Sequence, residues 1–281
     1  MDKKRIILGL LIAVVLSSAI LLVPAGNPVV LFVLLAICAL AMREVYALME
    51  RGDLPASRHV GIVSGLLFVA VTWLTARCGF SDDVLWSLLL LILMGIFFRL
   101  FGYADSRQAL RNALGTLFGV LYVAFFWSFF VRLYMAGGAH SPGFTAFYLL
   151  LAVKWGDAGG YFIGSRFGRH KLCPRISPKK SWEGLLGSIL FSSLVGVLWC
   201  FVTDGRLGSR DFCLTHALIL GVLLPVVGTA GDLVESLFKR AVDLKDSGAI
   251  AHGMGGMLDM IDSLLFASPF FYIYIKFFLA C

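Results

Sequence analysis

Nine stretches of mostly apolar residues run along the chain, separated by short polar segments: Ile6–Val23, Val29–Leu48, Val60–Ala76, Val84–Phe98, Leu114–Leu133, Thr145–Ile163, Leu185–Val202, His216–Thr229 and Leu264–Leu279. Crossing a bilayer as a helix takes about 17–25 such residues. A helix satisfies its backbone polar groups internally, as hydrocarbon requires. The pattern therefore predicts an all-α, polytopic integral membrane protein with about nine spans. The last two stretches are short, and the eighth holds Pro225, so it is expected to kink or to run on past Thr229. The first follows Lys3-Lys4-Arg5 but leads into Pro24-Ala25-Gly26-Asn27-Pro28, with no small-residue cleavage site, and reads as an uncleaved helix.

Charge supports this division. With the N-terminus in the cytoplasm, eighteen Lys and Arg fall in inside loops and four (Arg77, Arg132, Arg206, Arg210) outside, while Lys154 and Lys276 lie within spans. The asymmetry follows the positive-inside rule, and one missed helix would spoil it. It predicts a multi-pass protein of the cell inner (plasma) membrane with its C-terminus on the opposite side. The formal charge of +7 is thus a topology signal spread over five loops, and nucleic acid is not an expected partner. Composition agrees, with 59% hydrophobic and 15% charged residues, against about 45–50% and 25% in soluble domains. The six cysteines are scattered without a C-x-x-C pair, which predicts small apolar fillers and neither disulfides nor zinc. By motif content the chain divides into N-terminal transmembrane helices, 1–133, and a catalytic transmembrane region, 134–281.

Two inside loops carry the candidate chemistry. Ahead of the first, Lys154 and Asp157 stand at i, i+3 on one face of the sixth span. Gly156, Gly159 and Gly160 allow another helix to come close. Gly164 to Gly184 then reads GSRFGRHKLCPRISPKKSWEG, with six cations. Positive-inside charge accounts for part of this. The rest suits an anion site, since Arg and Lys both bind phosphate. Ser177-Pro178-Lys179-Lys180-Ser181 reads as a turn leading into a helix with Ser181 as N-cap, and a helix N-terminus beside two lysines favours phosphate.

The second loop, Gly231 to Ser263, reads GDLVESLFKRAVDLKDSGAIAHGMGGMLDMIDS. Asp232, Glu235 or Ser236, Lys239 and Asp243 form a polar stripe at helical spacing. A glycine-rich turn follows at Gly248, Gly253, Gly255 and Gly256, bracketed by Lys245-Asp246 and by Asp259 and Asp262. Glycine permits close backbone approach to a ligand. Carboxylates next to phosphate-binding groups point to Mg²⁺, a hard cation that prefers oxygen.

These residues resemble the signature of the phosphatidate cytidylyltransferases, or CDP-diglyceride synthases. The likeness covers about 65 residues: Asp232, Glu235, Ser236, Lys239, Arg240, Lys245, Asp246, Ser247, Gly248, Gly253, Gly255, Gly256, Asp259, Asp262 and Ser263, with Asp157, Gly159, Tyr161, Gly164, Phe167, Gly168, His170-Lys171-Leu172, Ser177-Pro178, Lys180, Trp182 and Gly184 from the first loop. The chain departs from the family pattern at His252, Met254 and Met260, where the family has Pro, His and Arg.

The resemblance implies transfer of a cytidylyl group from CTP to phosphatidate, giving CDP-diacylglycerol and diphosphate. It implies Mg²⁺ held by Asp232 and Asp259, with Asp262 and Asp246 as further or alternate ligands. Lys239, Arg240 and Lys245 would neutralise phosphates, Asp157 would orient a cation, and Ser177, Lys179, Lys180, Ser236, Gly253, Gly255 and Gly256 would meet substrate. A homodimer stays open. The competing readings are a transporter using Lys154 and Asp157 as a relay, against which no inverted repeat is visible, and a catalytically impaired homologue, motivated by the three departures.

Overall fold

The computed structural model describes residues 27–136, 143–242 and 256–279. Helix α1 is Pro28–Arg51, α2 Arg58–Cys78 and α3 Asp83–Phe98, which tightens into a 3₁₀ turn at Arg99–Gly102. Helix α4 is Ser106–Gly119; it passes through a π-helical segment, Val120–Phe125, into α5, Phe126–Met135. Then come α6 (Phe144–Phe167), a hairpin of β1 (Lys171–Cys173) and β2 (Ser177–Ser181), α7 (Trp182–Val202), a second small hairpin of β3 (Arg206–Leu207) and β4 (Arg210–Asp211), α8 (Leu214–Ala241) and α9 (Met257–Phe278). Among the described residues, the regular structure is helical apart from these two ribbons, as the apolar pattern predicts.

Among the described residues, seven helical stretches are long and apolar enough to cross a membrane: Pro28–Arg51, Arg58–Cys78, Asp83–Gly102, Ser106–Met135, Trp182–Val202, Leu214–Ala241 and Met257–Phe278. Helix α6, expected as a sixth span, forms over 24 residues but is not among them. Lys154, Asp157 and its glycines dilute its apolar character. The expected first span, Ile6–Val23, lies outside the described residues.

The helix ends differ most from expectation. Asp105 accepts from the Arg107 amide at 3.0 Å and starts α4 at Ser106, eight residues before the expected Leu114. Helix α8 does run on past Thr229, one of the two outcomes expected of it, and reaches Ala241, while α9 begins at Met257 rather than Leu264. The stretch Gly231 to Ser263, read as a loop, is therefore largely the end of one helix and the start of the next. At about 1.5 Å per residue, the 28 residues of α8 exceed a hydrocarbon core of about 30 Å. Its polar last turns thus fall at the membrane boundary, level with the first turns of antiparallel α9.

Small residues bring the helices of this half together, as expected for Gly156, Gly159 and Gly160. Helix α7 lies along α6 so closely that a Cβ at Gly187 would stand 2.7 Å from the Gly159 carbonyl oxygen and 2.8 Å from Ile163 Cβ. In the other half the buried Trp127 indole donates to the Leu34 carbonyl at 3.1 Å, and Tyr46 donates to the Thr116 carbonyl at 2.8 Å. At the end away from the motif loops, Arg132 of α5 meets Asp82 at 3.0 Å and the Tyr272 hydroxyl of α9 at 3.1 Å. This partly buried guanidinium joins the turn before α3 to the far end of α9.

Two glycine substitutions test the packing. Gly187→Val should lower the unfolding midpoint of the detergent-solubilised protein, by about 1–3 kcal/mol of stability, because a backbone carbonyl cannot move aside. Gly95→Ala, where nothing lies within 4 Å of the added Cβ, should leave the midpoint unchanged or raise it by up to about 1 kcal/mol.

Candidate active site

The polar ends of α6, α8 and α9, with β2, converge on one group of charged side chains. On α8, Asp232, Glu235, Ser236 and Lys239 share a stripe at i, i+3, i+4, i+7. On α9, Asp259, Asp262 and Ser263 do the same. Gly231 brings the two helices together at this level: a Cβ there would lie 2.6 Å from the Asp262 carbonyl oxygen. The close crossing faces the two stripes toward each other.

The charges fall into two neighbouring groups. In the first, Lys239 bridges two carboxylates, at 2.5 Å from Glu235 Oε2 and 2.6 Å from Asp259 Oδ1. Glu235 is fully buried. Its ion pair with Lys239, and Asp259 beside it, are its compensation. A buried carboxylate is tolerated only with such a partner. Asp259 turns its other oxygen to the Gly256 amide at 2.6 Å.

In the second group, Asp157, Asp232 and Asp262 lie within electrostatic reach of one another. Lys180 meets Asp232 Oδ2 at 2.8 Å and also donates to the Thr229 carbonyl at 3.2 Å. Lys154 meets Asp157 Oδ2 at 3.5 Å and donates to the Met260 carbonyl at 2.9 Å. The Ser263 hydroxyl has Asp157 Oδ2 at 3.3 Å and Asp262 Oδ1 at 3.2 Å; with one proton it serves one at a time. Ser236 donates to Asp232 Oδ1 at 3.2 Å.

The expected ligand trio is therefore divided. Asp232 and Asp262 face each other, with Asp157 as their third neighbour, while Asp259 is engaged with Lys239 and Gly256. Among the described residues no three carboxylate, thiol or imidazole side chains stand close enough to hold one metal ion by themselves.

The first motif loop is a hairpin that folds over the site. The Glu183 carboxylate, in the first turn of α7, accepts from the Arg169 amide at 3.2 Å and meets His170 Nδ1 at 2.7 Å. This closes the base of the hairpin. Ser181 caps α7 as expected, accepting from the Gly184 amide at 3.1 Å. Successive strand residues point to opposite faces, so the two lysines part company. Lys180 turns inward to Asp232; Lys179 is exposed on the outer face, where sequence spacing had placed both at substrate. Ser177 pairs with Cys173 at the far end of the ribbon. Arg240 is exposed and donates to the Ile176 carbonyl at 3.4 Å, bracing the hairpin rather than joining the ion cluster. Lys245, Asp246, Gly253 and Gly255 lie outside the described residues, as do His252 and Met254. At Met260 it is the carbonyl that Lys154 uses, a contact open to any side chain there.

Sequence reasoning missed three contributors. Lys154, read from sequence as the partner of Asp157 in an ion pair or a relay, also ties α6 to α9. Glu235 matched the signature but was assigned no role, although it anchors Lys239. Glu44, on α1, accepts from the Met257 amide at 2.9 Å and the Leu258 amide at 2.8 Å. With Asp259 on Gly256, two carboxylates thus take three amides at the start of α9. A helix N-terminus attracts anions, and here the protein's own carboxylates supply them. Gly256 therefore does not offer its amide to a substrate phosphate in this structure. The one available signal for Glu44 was a lone carboxylate within an apolar run, next to Arg43.

Glu44→Leu should leave two buried amides without acceptors, each costing about 1–3 kcal/mol, and should lower the unfolding midpoint markedly. Glu44→Gln keeps an acceptor oxygen and should lower it less. Equal midpoints for both variants and wild type would refute the capping role.

A family model described as the cytidylyltransferase family matches residues 3–278 of this chain. A protein named phosphatidate cytidylyltransferase from Thermotoga maritima is 35% identical over 188 residues, which is 66% of this chain and 68% of that relative. One of the same name from Haemophilus influenzae is 39% identical over 145 residues, half of each chain. A third, from Mycobacterium bovis, is 32% identical over 279 residues, 94% of this chain and 84% of the relative.

Proposed function

The chain belongs to the cytidylyltransferase family, and on that premise we propose that it is a phosphatidate cytidylyltransferase acting at the membrane surface. It joins CTP to phosphatidate: a phosphate oxygen of the lipid attacks the α-phosphorus of CTP, the bond from that phosphorus to the bridging oxygen breaks, and diphosphate leaves. A phosphate monoester has a second pKa of about 6, so the nucleophile is largely ionised at neutral pH and no protein base is required.

The observation that carries the reading is the charge balance of the site. Asp157, Asp232, Glu235, Asp259 and Asp262 face Lys154, Lys180 and Lys239, an excess of two formal negative charges. Two polyanionic substrates would be repelled from such a site unless a divalent cation joined them. The donors fit one: they are carboxylate oxygens, and Mg²⁺ commonly takes one or two carboxylates and completes its shell with phosphates and water. Asp232 and Asp262, with Asp157 beside them, would hold it. When bound, Mg²⁺ neutralises charge on the phosphates as the new bond forms.

The remaining work is electrostatic positioning, on which such transfers depend. Lys180 stands on the hairpin above Asp232, able to turn to a phosphate without leaving the site. Lys239 is held ready by Glu235 and Asp259. The hairpin and the ends of α6, α8 and α9 form the inside face, where a lipid phosphate at the interface and a cytosolic nucleotide can both arrive. On this reading the N-terminus is cytoplasmic and the C-terminus lies on the other side, the orientation that the asymmetry of loop Lys and Arg supports.

Purified protein given radiolabelled CTP and phosphatidate should form CDP-lipid with Mg²⁺ and none with excess chelator. CTP binding without CDP-lipid would instead establish an impaired homologue. In the same assay Lys180→Ala should reduce kcat/KM by at least about tenfold, the scale of a lost hydrogen bond to a charged group. Lys179→Ala should stay within about threefold of wild type, as expected of an exposed charge.

A further inference from the structure

Tyr122 is a second contribution of the N-terminal helices to the site, and no motif includes it. It lies in the π-helical segment Val120–Phe125 between α4 and α5. Single π turns inside α-helices are frequently found at functional sites. The side chain is 6% exposed, and its hydroxyl has no hydrogen-bond partner among the described residues. Leaving such a group unpaired costs about 1–3 kcal/mol. Tyr134 and Tyr148 also bury unpaired hydroxyls, but their rings pack against Trp73 and against Trp199, Phe212 and Phe271, away from the charged cluster.

The ring contacts of Tyr122 locate it. It meets Phe238 of α8 edge-on at 5.4 Å and Phe266 of α9 at 6.5 Å. Phe238 is i+3 from Glu235 and Phe266 is i+4 from Asp262, so Tyr122 packs on the faces of α8 and α9 that carry those acids. Its hydroxyl lies within electrostatic reach of Asp262, Glu235 and Asp232. A buried hydroxyl without a partner among the described residues thus lies within electrostatic reach of Glu235, a buried acid whose cation is Lys239.

We propose that Tyr122 is a positioning residue: when Lys239 is drawn onto a substrate phosphate, the Tyr122 hydroxyl donates to the Glu235 carboxylate it leaves behind. The proposal rests on the reading of the site given above. Without such a donor, moving Lys239 would leave Glu235 buried beside Asp259 with no cation, a penalty on substrate binding. With it, the lysine can exchange partners while the acid stays satisfied. The shared ligand chemistry is a phosphate oxygen, from CTP or from phosphatidate, and the hydroxyl serves this exchange without touching either.

Tyr122→Phe removes the hydroxyl and keeps the ring. The variant should fold with an unfolding midpoint at or above wild type, since an unpaired polar atom is gone. Its kcat/KM should fall about tenfold, mainly through KM, with CTP and phosphatidate each varied in turn; the substrate whose KM moves is the one whose phosphate takes Lys239. The thermal shift produced by CTP with Mg²⁺, or by phosphatidate in mixed micelles, should shrink for that same substrate. Constants within twofold of wild type for both substrates would overturn the proposal. So would an activity loss with an equally lowered midpoint, which would assign the effect to ring packing. Wild-type protein that makes no CDP-lipid would fail the functional reading itself, and Tyr122 would then be judged on the ligand-induced shifts, equal shifts counting against it.

Discussion

Five carboxylates and three lysines meet at one end of three closely packed helices, and the rest of the molecule is arranged to make that tolerable. Charge at a membrane boundary must be paired or solvated, and Glu235 is fully buried. Lys239 answers it within hydrogen-bonding distance while also holding Asp259 on the neighbouring helix. One ammonium therefore fixes the relative rotation of α8 and α9, and the direction in which both acidic stripes face.

That ion pair needs the helices to be close, and small residues make them so. Gly231 against the Asp262 carbonyl and Gly187 against the Gly159 carbonyl leave no room for a Cβ. Packing in lipid rests on such contacts, because apolar side chains gain little there by leaving the lipid. The same closeness presents Lys154 to the Met260 carbonyl and Asp157 to Ser263. Packing and site geometry are here a single requirement.

The N-terminal helices are part of this arrangement. Glu44 fixes the start of α9 from α1, and Tyr122 packs on Phe238 of α8 and Phe266 of α9 from the π turn after α4. A division of the chain at 133/134 describes where the motifs lie. The site itself draws on both sides of that boundary, since a helix bearing two carboxylates in its first turns needs its amides and its rotation fixed from outside.

The sequence by itself determined the helical membrane architecture, the cationic loop ending at the Ser181 cap, the polar stripe on α8 and the family resemblance. Each is a local property: apolar run length, residue spacing along one helix, or a contiguous motif. Only the tertiary structure decided which members of those motifs meet. Asp259 parts from Asp232 and Asp262, because its oxygens go to Lys239 and Gly256. Lys179 parts from Lys180, because adjacent strand residues face opposite ways. Arg240 braces the hairpin, and Gly256 gives its amide to the protein. Glu44 and Tyr122 were illegible for the same reason: each stands alone in an apolar run and acquires its role across more than a hundred residues of chain, through contacts that no spacing along one helix encodes. The polar chemistry at one face of the membrane, visible as a charge asymmetry, thus becomes in three dimensions a set of defined partners.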